Sequence, residues 1–219
     1  MRLEICASNY QSAINAQEAG ADRIELCKDL SVGGLTPNLE LFERLLKALS
    51  IPIYVLIRPR PGDFEYSREE FENMKQHIQS FKRLGCHGVV SGVLKNKLID
   101  LPRTQELIEW SKPLPFTFHR AFDDITNPFK GVNDLVKIGA SRILTSGQEL
   151  TAKDGLELLK ELLKAASNRI IILPGAGISP DNAYLFKENG FQEIHASATG
   201  KGSISDIETI KAILNTINE

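Results

Sequence analysis

The 219-residue sequence is poor in sulfur and in tryptophan, with three cysteines, two methionines and a single Trp. Three thiols are too few, and odd in number, for a disulfide framework. No apolar stretch approaches the roughly 18 residues of a membrane-spanning helix; the longest pure run is Ile170–Leu173. The opening residues Met1-Arg2-Leu3-Glu4-Ile5-Cys6 lack the apolar run of a signal peptide. Neither sign of charge is in excess: 26 basic against 28 acidic residues leave a formal charge of −2. That balance argues against a nucleic-acid or acidic-membrane binder. Low-complexity tracts, charge blocks and linkers are also absent. These absences predict a cytoplasmic protein with reduced thiols and with neither nucleic acid nor membrane as a partner.

With 42% hydrophobic and 25% charged residues, the chain has the composition of a globular protein that can bury roughly 70% of its unfolded surface. Short apolar or alternating runs fall near 3–8, 23–27, 53–59, 88–93, 115–120, 142–146, 170–174 and 193–197. Segments of helical spacing lie between them, such as Phe71, Met74, Ile78 and Phe81, or Leu156, Leu159, Leu162 and Leu163. A junction recurs at Gly20, Gly85, Gly139 and Gly190, where a glycine suited to end a helix precedes a tight loop and the next strand. Four copies of a (βα)2 unit predict a single domain over 1–219, an α/β TIM (β/α)8 barrel. An open doubly wound sheet is the alternative.

In such a barrel, chemistry sits at the C-terminal ends of the strands. Side chains alternate along a strand, so residues two apart share a face. On that rule Glu4, Cys6 and Ser8, Glu25 and Cys27, Arg58 and Arg60, Thr117 and His119, and His195 and Ser197 point inward. The outward set, including Leu3, Ile5, Ile24, Leu26, Phe116, Phe118 and Ile194, is apolar and suits packing against helices. Carboxylates, guanidinium groups and imidazoles converging on one barrel centre form either a paired polar plug or a pocket. The pocket reading makes Arg58 and Arg60 an anion clamp and Glu4, Glu25, His119 and His195 candidate acids and bases. The insert Arg58–Ser67 after the third strand has the length of a functional loop.

Two glycine-rich turns follow strands seven and eight. Leu173-Pro-Gly-Ala-Gly-Ile-Ser-Pro-Asp181 offers Gly175 and Gly177, with Ser179 as a helix cap and Pro180 as first helical residue. His195-Ala-Ser-Ala-Thr-Gly-Lys-Gly-Ser203 offers Ser197, Gly200, Lys201 and Gly202. Barrels often bind phosphate at this place. Cys86 and His87 fall on the opposite end, and Met74, His77 and Trp110 read as packing or solvated helix residues. No Cys-x-x-Cys, His-Glu-x-x-His, Walker-type loop or nucleophile elbow occurs, and no nucleotide cofactor is signalled.

With these residues in place, the chain resembles the CutC family. The resemblance rests on Glu4-x-Cys6, Gly20-Ala-Asp-Arg-Ile-Glu-Leu-Cys27, Gly33-Gly-Leu-Thr-Pro37, Ile57-Arg-Pro-Arg-Pro-Gly-Asp-Phe64 with Tyr66, Thr117-Phe-His-Arg-Ala-Phe-Asp123, Ile143-Leu-Thr-Ser-Gly147 and His195-x-Ser197. It implies a cytoplasmic TIM barrel, a homo-oligomer with a homodimer as first guess, with copper binding and a part in copper homeostasis. Cytosolic copper is Cu(I), which prefers thiolate ligands, so Cys6 and Cys27 are the candidate ligands, with His119 or His195 assisting. Layering in barrels predicts that the two cysteines are offset in height. The alternative is an enzyme of unknown reaction on a small phosphorylated or carboxylated metabolite held by the Arg/Glu/His pocket.

Overall fold

The computed structural model describes residues 1–200 and 202–218. Eight barrel strands are β1 (Arg2–Ala7), β2 (Arg23–Leu26), β3 (Ile53–Leu56), β4 (Gly88–Ser91), β5 (Phe116–Phe118), β6 (Arg142–Thr145), β7 (Ile171–Pro174) and β8 (Glu193–Ala196). The helices are α1 (Tyr10–Ala19), α2 (Leu39–Ala48), α3 (Arg68–Leu84), α4 (Leu101–Ser111), α5 (Pro128–Ile138), α6 (Leu156–Ala166), α7 (Ala183–Glu188) and α8 (Ile207–Asn218). All the strands run parallel in the order β8-β1-β2-β3-β4-β5-β6-β7. The outer two meet through one bridge, Gly175 to His195, which nearly closes the barrel. The result is the predicted TIM barrel; the open sheet is excluded.

Local chemistry fixes the element ends. The side chains of Asn9, Asn38, Ser67, Asp100 and Asn127 accept first-turn amide hydrogens at the starts of α1 to α5. Gly20, Gly85 and Gly139 end α1, α3 and α5 with φ of 95°, 97° and 86°, the left-handed geometry the junction pattern predicts. Phe71, Met74, Ile78 and Phe81 form the buried stripe of α3. The outward strand residues join them in one core between barrel and helix ring.

Two local features depart from expectation. α7 starts at Ala183, not after Ser179. Asn182 folds back instead, accepting from Ser179 N–H and donating to the Gly177 carbonyl, which closes residues 177–182 as a turn. The chain also makes a small antiparallel hairpin, Leu94–Lys95 with Leu98–Ile99. It turns at Asn96 and Lys97, with φ of 52° and 56°, the geometry of a tight two-residue hairpin turn.

Candidate functional site

The barrel interior is polar from its floor upward. Glu193 on β8 accepts from Arg23 at 2.5 Å and from Arg142 at 2.8 Å, and Glu4 on β1 pairs with Arg23. The Tyr54 ring packs against both cations, 5.0 Å from the Arg23 guanidinium carbon and 5.3 Å from that of Arg142. A β-carbon at Gly88, its neighbour across the ladder, would come within 2.7 Å of this ring. Only a bare backbone leaves room for it. Tyr54, Arg23, Arg142 and Glu193 are all buried. The sequence reading missed Arg23, Arg142 and Glu193, although each sits two residues before an inward residue of its own strand.

Above this floor stand the thiols. The Cys6 and Cys27 sulfurs are 3.6 Å apart, both free and buried. The register explains the approach. Cys6 pairs with Glu25 and Leu26 with Val55, so Cys27 lies one residue pair higher on the same face, diagonal to Cys6. The height offset exists, and the side chains span it. The hydrogen bond to Cys27, then burial, push the Cys6 thiol well above the ordinary thiol range. Cys6, Glu25 and His195 offer ligand atoms within 4.8 Å of one another.

His195 reaches this group under the control of Glu4. Its Nδ1 lies 2.7 Å from Glu4 Oε1, which leaves Nε2 outside that bond. Burial alone would raise the Glu4 carboxyl, but Arg23 and the His195 hydrogen bond hold it at about 2. Burial works against a charged His195 ring, and the Glu4 bond together with Glu25 outweighs it, so its pKa is raised. A carboxylate that orients a histidine through one nitrogen while the other faces a site is the arrangement of metal-bound imidazoles. Glu25 makes no salt bridge among the described residues, only the contact from Cys6 Sγ at 3.8 Å. Burial pushes its carboxyl up to about 7, Glu4 adds to the rise, and the His195 charge opposes it.

A cavity of about 420 Å³ opens over these residues. Cys6, Glu25, Arg58, His119, His195 and Ser197 line it, as does Gly177. Arg120 and Asp123, which sequence reading did not single out, stand at its edge. The fold therefore brings together residues of β1, β2 and β8 with those that follow β3 and β5. Glu4 and Cys27 lie just behind this lining, bonded to His195 and Cys6.

Other predicted residues lie elsewhere. β3 ends at Leu56, so alternation no longer governs Arg60. Its side chain turns back to Glu70 at 2.7 Å and Asp63 at 2.9 Å, pinning the 58–67 insert to the start of α3. Gly175 sits in the β7–β8 closure, where a β-carbon would meet Leu144 at 2.6 Å and crowd His195. Gly200 and Gly202 are exposed and outside the cavity lining, and Lys201 between them lies outside the described residues. Cys86 and His87 precede β4 at the far end, where His87 Nδ1 accepts from Ile53 N–H. Among the described residues no helix is long and apolar enough to cross a membrane.

Comparison with known proteins gives the family and supports the fold. The model of the CutC family matches residues 1–200. A "family protein CutC" from Pasteurella multocida (strain Pm70) is 46% identical over 202 residues, covering 91% of this chain and 83% of that protein. The "Copper homeostasis protein cutC homolog" of Homo sapiens is 42% identical over 198 residues, covering 90% of this chain and 72% of the human protein. Among solved structures, a CutC protein from Streptococcus agalactiae superposes with a TM-score of 0.85 at 32% identity, covering 90% of this chain and 98% of that one. With the match running from β1 through the Gly200 loop and the barrel shared, the chain belongs to the CutC family.

Proposed function

We propose that this chain is a cytoplasmic copper-handling protein that takes one Cu(I) ion as cargo at the barrel mouth, between Cys6 and Cys27. One observation carries the reading: two free thiols 3.6 Å apart at the base of the cavity. Metal–thiolate bonds near 2.3 Å put two sulfurs of one ion about 3.8 Å apart in a tetrahedron and about 4.0 Å apart in a trigonal site. A linear site needs about 4.6 Å. The thiols therefore suit a bent site with a third ligand, after an opening of a few tenths of an ångström. His195, oriented by Glu4 and grouped with Cys6 within 4.8 Å, would supply that ligand from the Cys6 side through Nε2. The printed names of the human relative and of the Streptococcus agalactiae structure support copper as the ion.

Cu(I) must displace the thiol protons, and Cys6 holds its proton unusually tightly, so affinity rises with pH. The test is an anaerobic Cu(I) titration against a competing chelator. Wild type is expected to bind one ion, and Cys6→Ser and Cys27→Ser are each expected to weaken it tenfold or more, about 1.4 kcal/mol. Affinity unchanged in both variants refutes the proposal.

A further inference from the structure

The wall that follows β3 and β5 carries groups for which a Cu(I) site at the thiols has no use. Arg58 is buried, yet its guanidinium has no carboxylate partner: Nη1 donates to the Val32 and Gly34 carbonyls and Nη2 to that of Gly62, with the Tyr66 hydroxyl alongside. Its Nε–H has no partner among the described residues. A buried cation without an anion is costly. The Phe64 ring lies 4.9 Å from the Arg58 guanidinium carbon and 4.8 Å from the His119 ring. All three side chains line the cavity.

His119 is built as a donor. Its Nδ1 accepts from Ala121 N–H at 3.3 Å, so in the neutral ring the proton sits on Nε2. That N–H is buried and also lacks a partner among the described residues. Burial, with Arg58 alongside, lowers the ring pKa to about 3, which keeps it neutral. A β-carbon at Gly92 would come within 2.7 Å of Nδ1, so the backbone there is shaped to admit the ring.

We propose that this wall is a carboxylate subsite: Arg58 and His119 hold the carboxylate of a small organic acid against the Phe64 ring. Two N–H donors match the two oxygens of a carboxylate. One uncompensated positive charge matches a monoanion better than a phosphate dianion. Leu30, Val32, Leu56 and Leu144 on the surrounding lining suit a short carbon skeleton. A cavity of about 420 Å³ takes a metabolite-sized ligand. This assignment goes beyond copper and does not depend on it.

The test is calorimetric titration of metal-free, reduced protein with acetate, pyruvate, glycolate and inorganic phosphate in a low-chloride buffer. At least one of the three acids is expected to bind wild type saturably, one per chain. His119→Leu removes the donor and is expected to weaken that acid tenfold or more. His119→Gln restores an N–H and is expected to stay within about threefold of wild type. If His119→Leu does not fold, Arg58→Lys carries the test: it keeps the charge, loses the Nε–H, and is expected to bind at least fivefold more weakly. No saturable binding of any acid overturns the proposal. Tighter binding of phosphate than of all three acids overturns it too, as does equal affinity in wild type and His119→Leu.

Discussion

Glu4 and Glu25 are both buried carboxyls of the barrel interior, and their neighbours drive them in opposite directions. Glu4 sits between Arg23 and His195 and ionises at about 2; Glu25, with burial dominant, ionises near 7. Folded Glu25 keeps its proton where the unfolded chain has already released it, above 4.5. Over that window the native state binds more protons, so stability falls as pH rises towards 7. Glu4 acts lower down: its contribution is complete above 4.5 and is lost as pH falls towards 2. The neutral His119 ring pulls the other way over this range, so the Glu25 contribution is read as a difference: the stability of wild type relative to Glu25→Gln, from urea unfolding, is expected to fall by about 2 kcal/mol between pH 5 and pH 7. An unchanged slope in the variant contradicts the assignment. These environments were only half legible in the sequence. Period-two alternation put Glu4, Glu25, His119 and His195 inside, but it also enrolled Arg60, which lies beyond the end of β3. The partners Arg23, Arg142 and Glu193 obey the same alternation, yet they fall towards the N-terminal ends of their strands, where the barrel rule places no chemistry.

The helices and strands were the most readable level, because each end carries its own chemistry. The glycines closing α1, α3 and α5 take the left-handed geometry their spacing announced, and the α3 stripe is buried as its 3.6-residue period requires. The start of α7 was misread because Ser179 and Pro180 have the grammar of a cap, while the Asn182 side chain captures the turn first. Packing between strands leaves no such signature. Gly88 is an unremarked residue of β4 until the Tyr54 ring is seen against its α-carbon. Gly88→Ala is expected to cost about 1–3 kcal/mol by overpacking. A double-mutant cycle with Tyr54→Ala is expected to return a coupling of at least about 1 kcal/mol. Additive effects in that cycle break the link between the two residues.

For the molecule as a whole, the count of eight βα units came from the recurring glycine junction, and the order of strands follows from it. The uneven closure did not. β1 is hydrogen-bonded to both neighbours over four residue pairs each, whereas β7 and β8 share one bridge. That seam is the weakest line in the wall. Native-state hydrogen exchange is expected to find amides facing the β7–β8 seam opening at lower free energy than those between β1 and β2. Equal protection would mean that the ring opens as one unit. The Tyr54 ring, packed against Arg23 and Arg142, has a consequence for traffic. With the ion pairs of Glu4, Arg23, Arg142 and Glu193 around it, it packs the lower barrel with side chains, which makes the interior a blind well rather than a tube. Continued one step past its last pair, Leu26 with Val55, the register puts Cys27 level with Leu56, and Arg58 follows two residues higher. The sulfurs therefore sit deeper than Arg58 within one shared cavity, so an occupant at either level narrows the space left to the other.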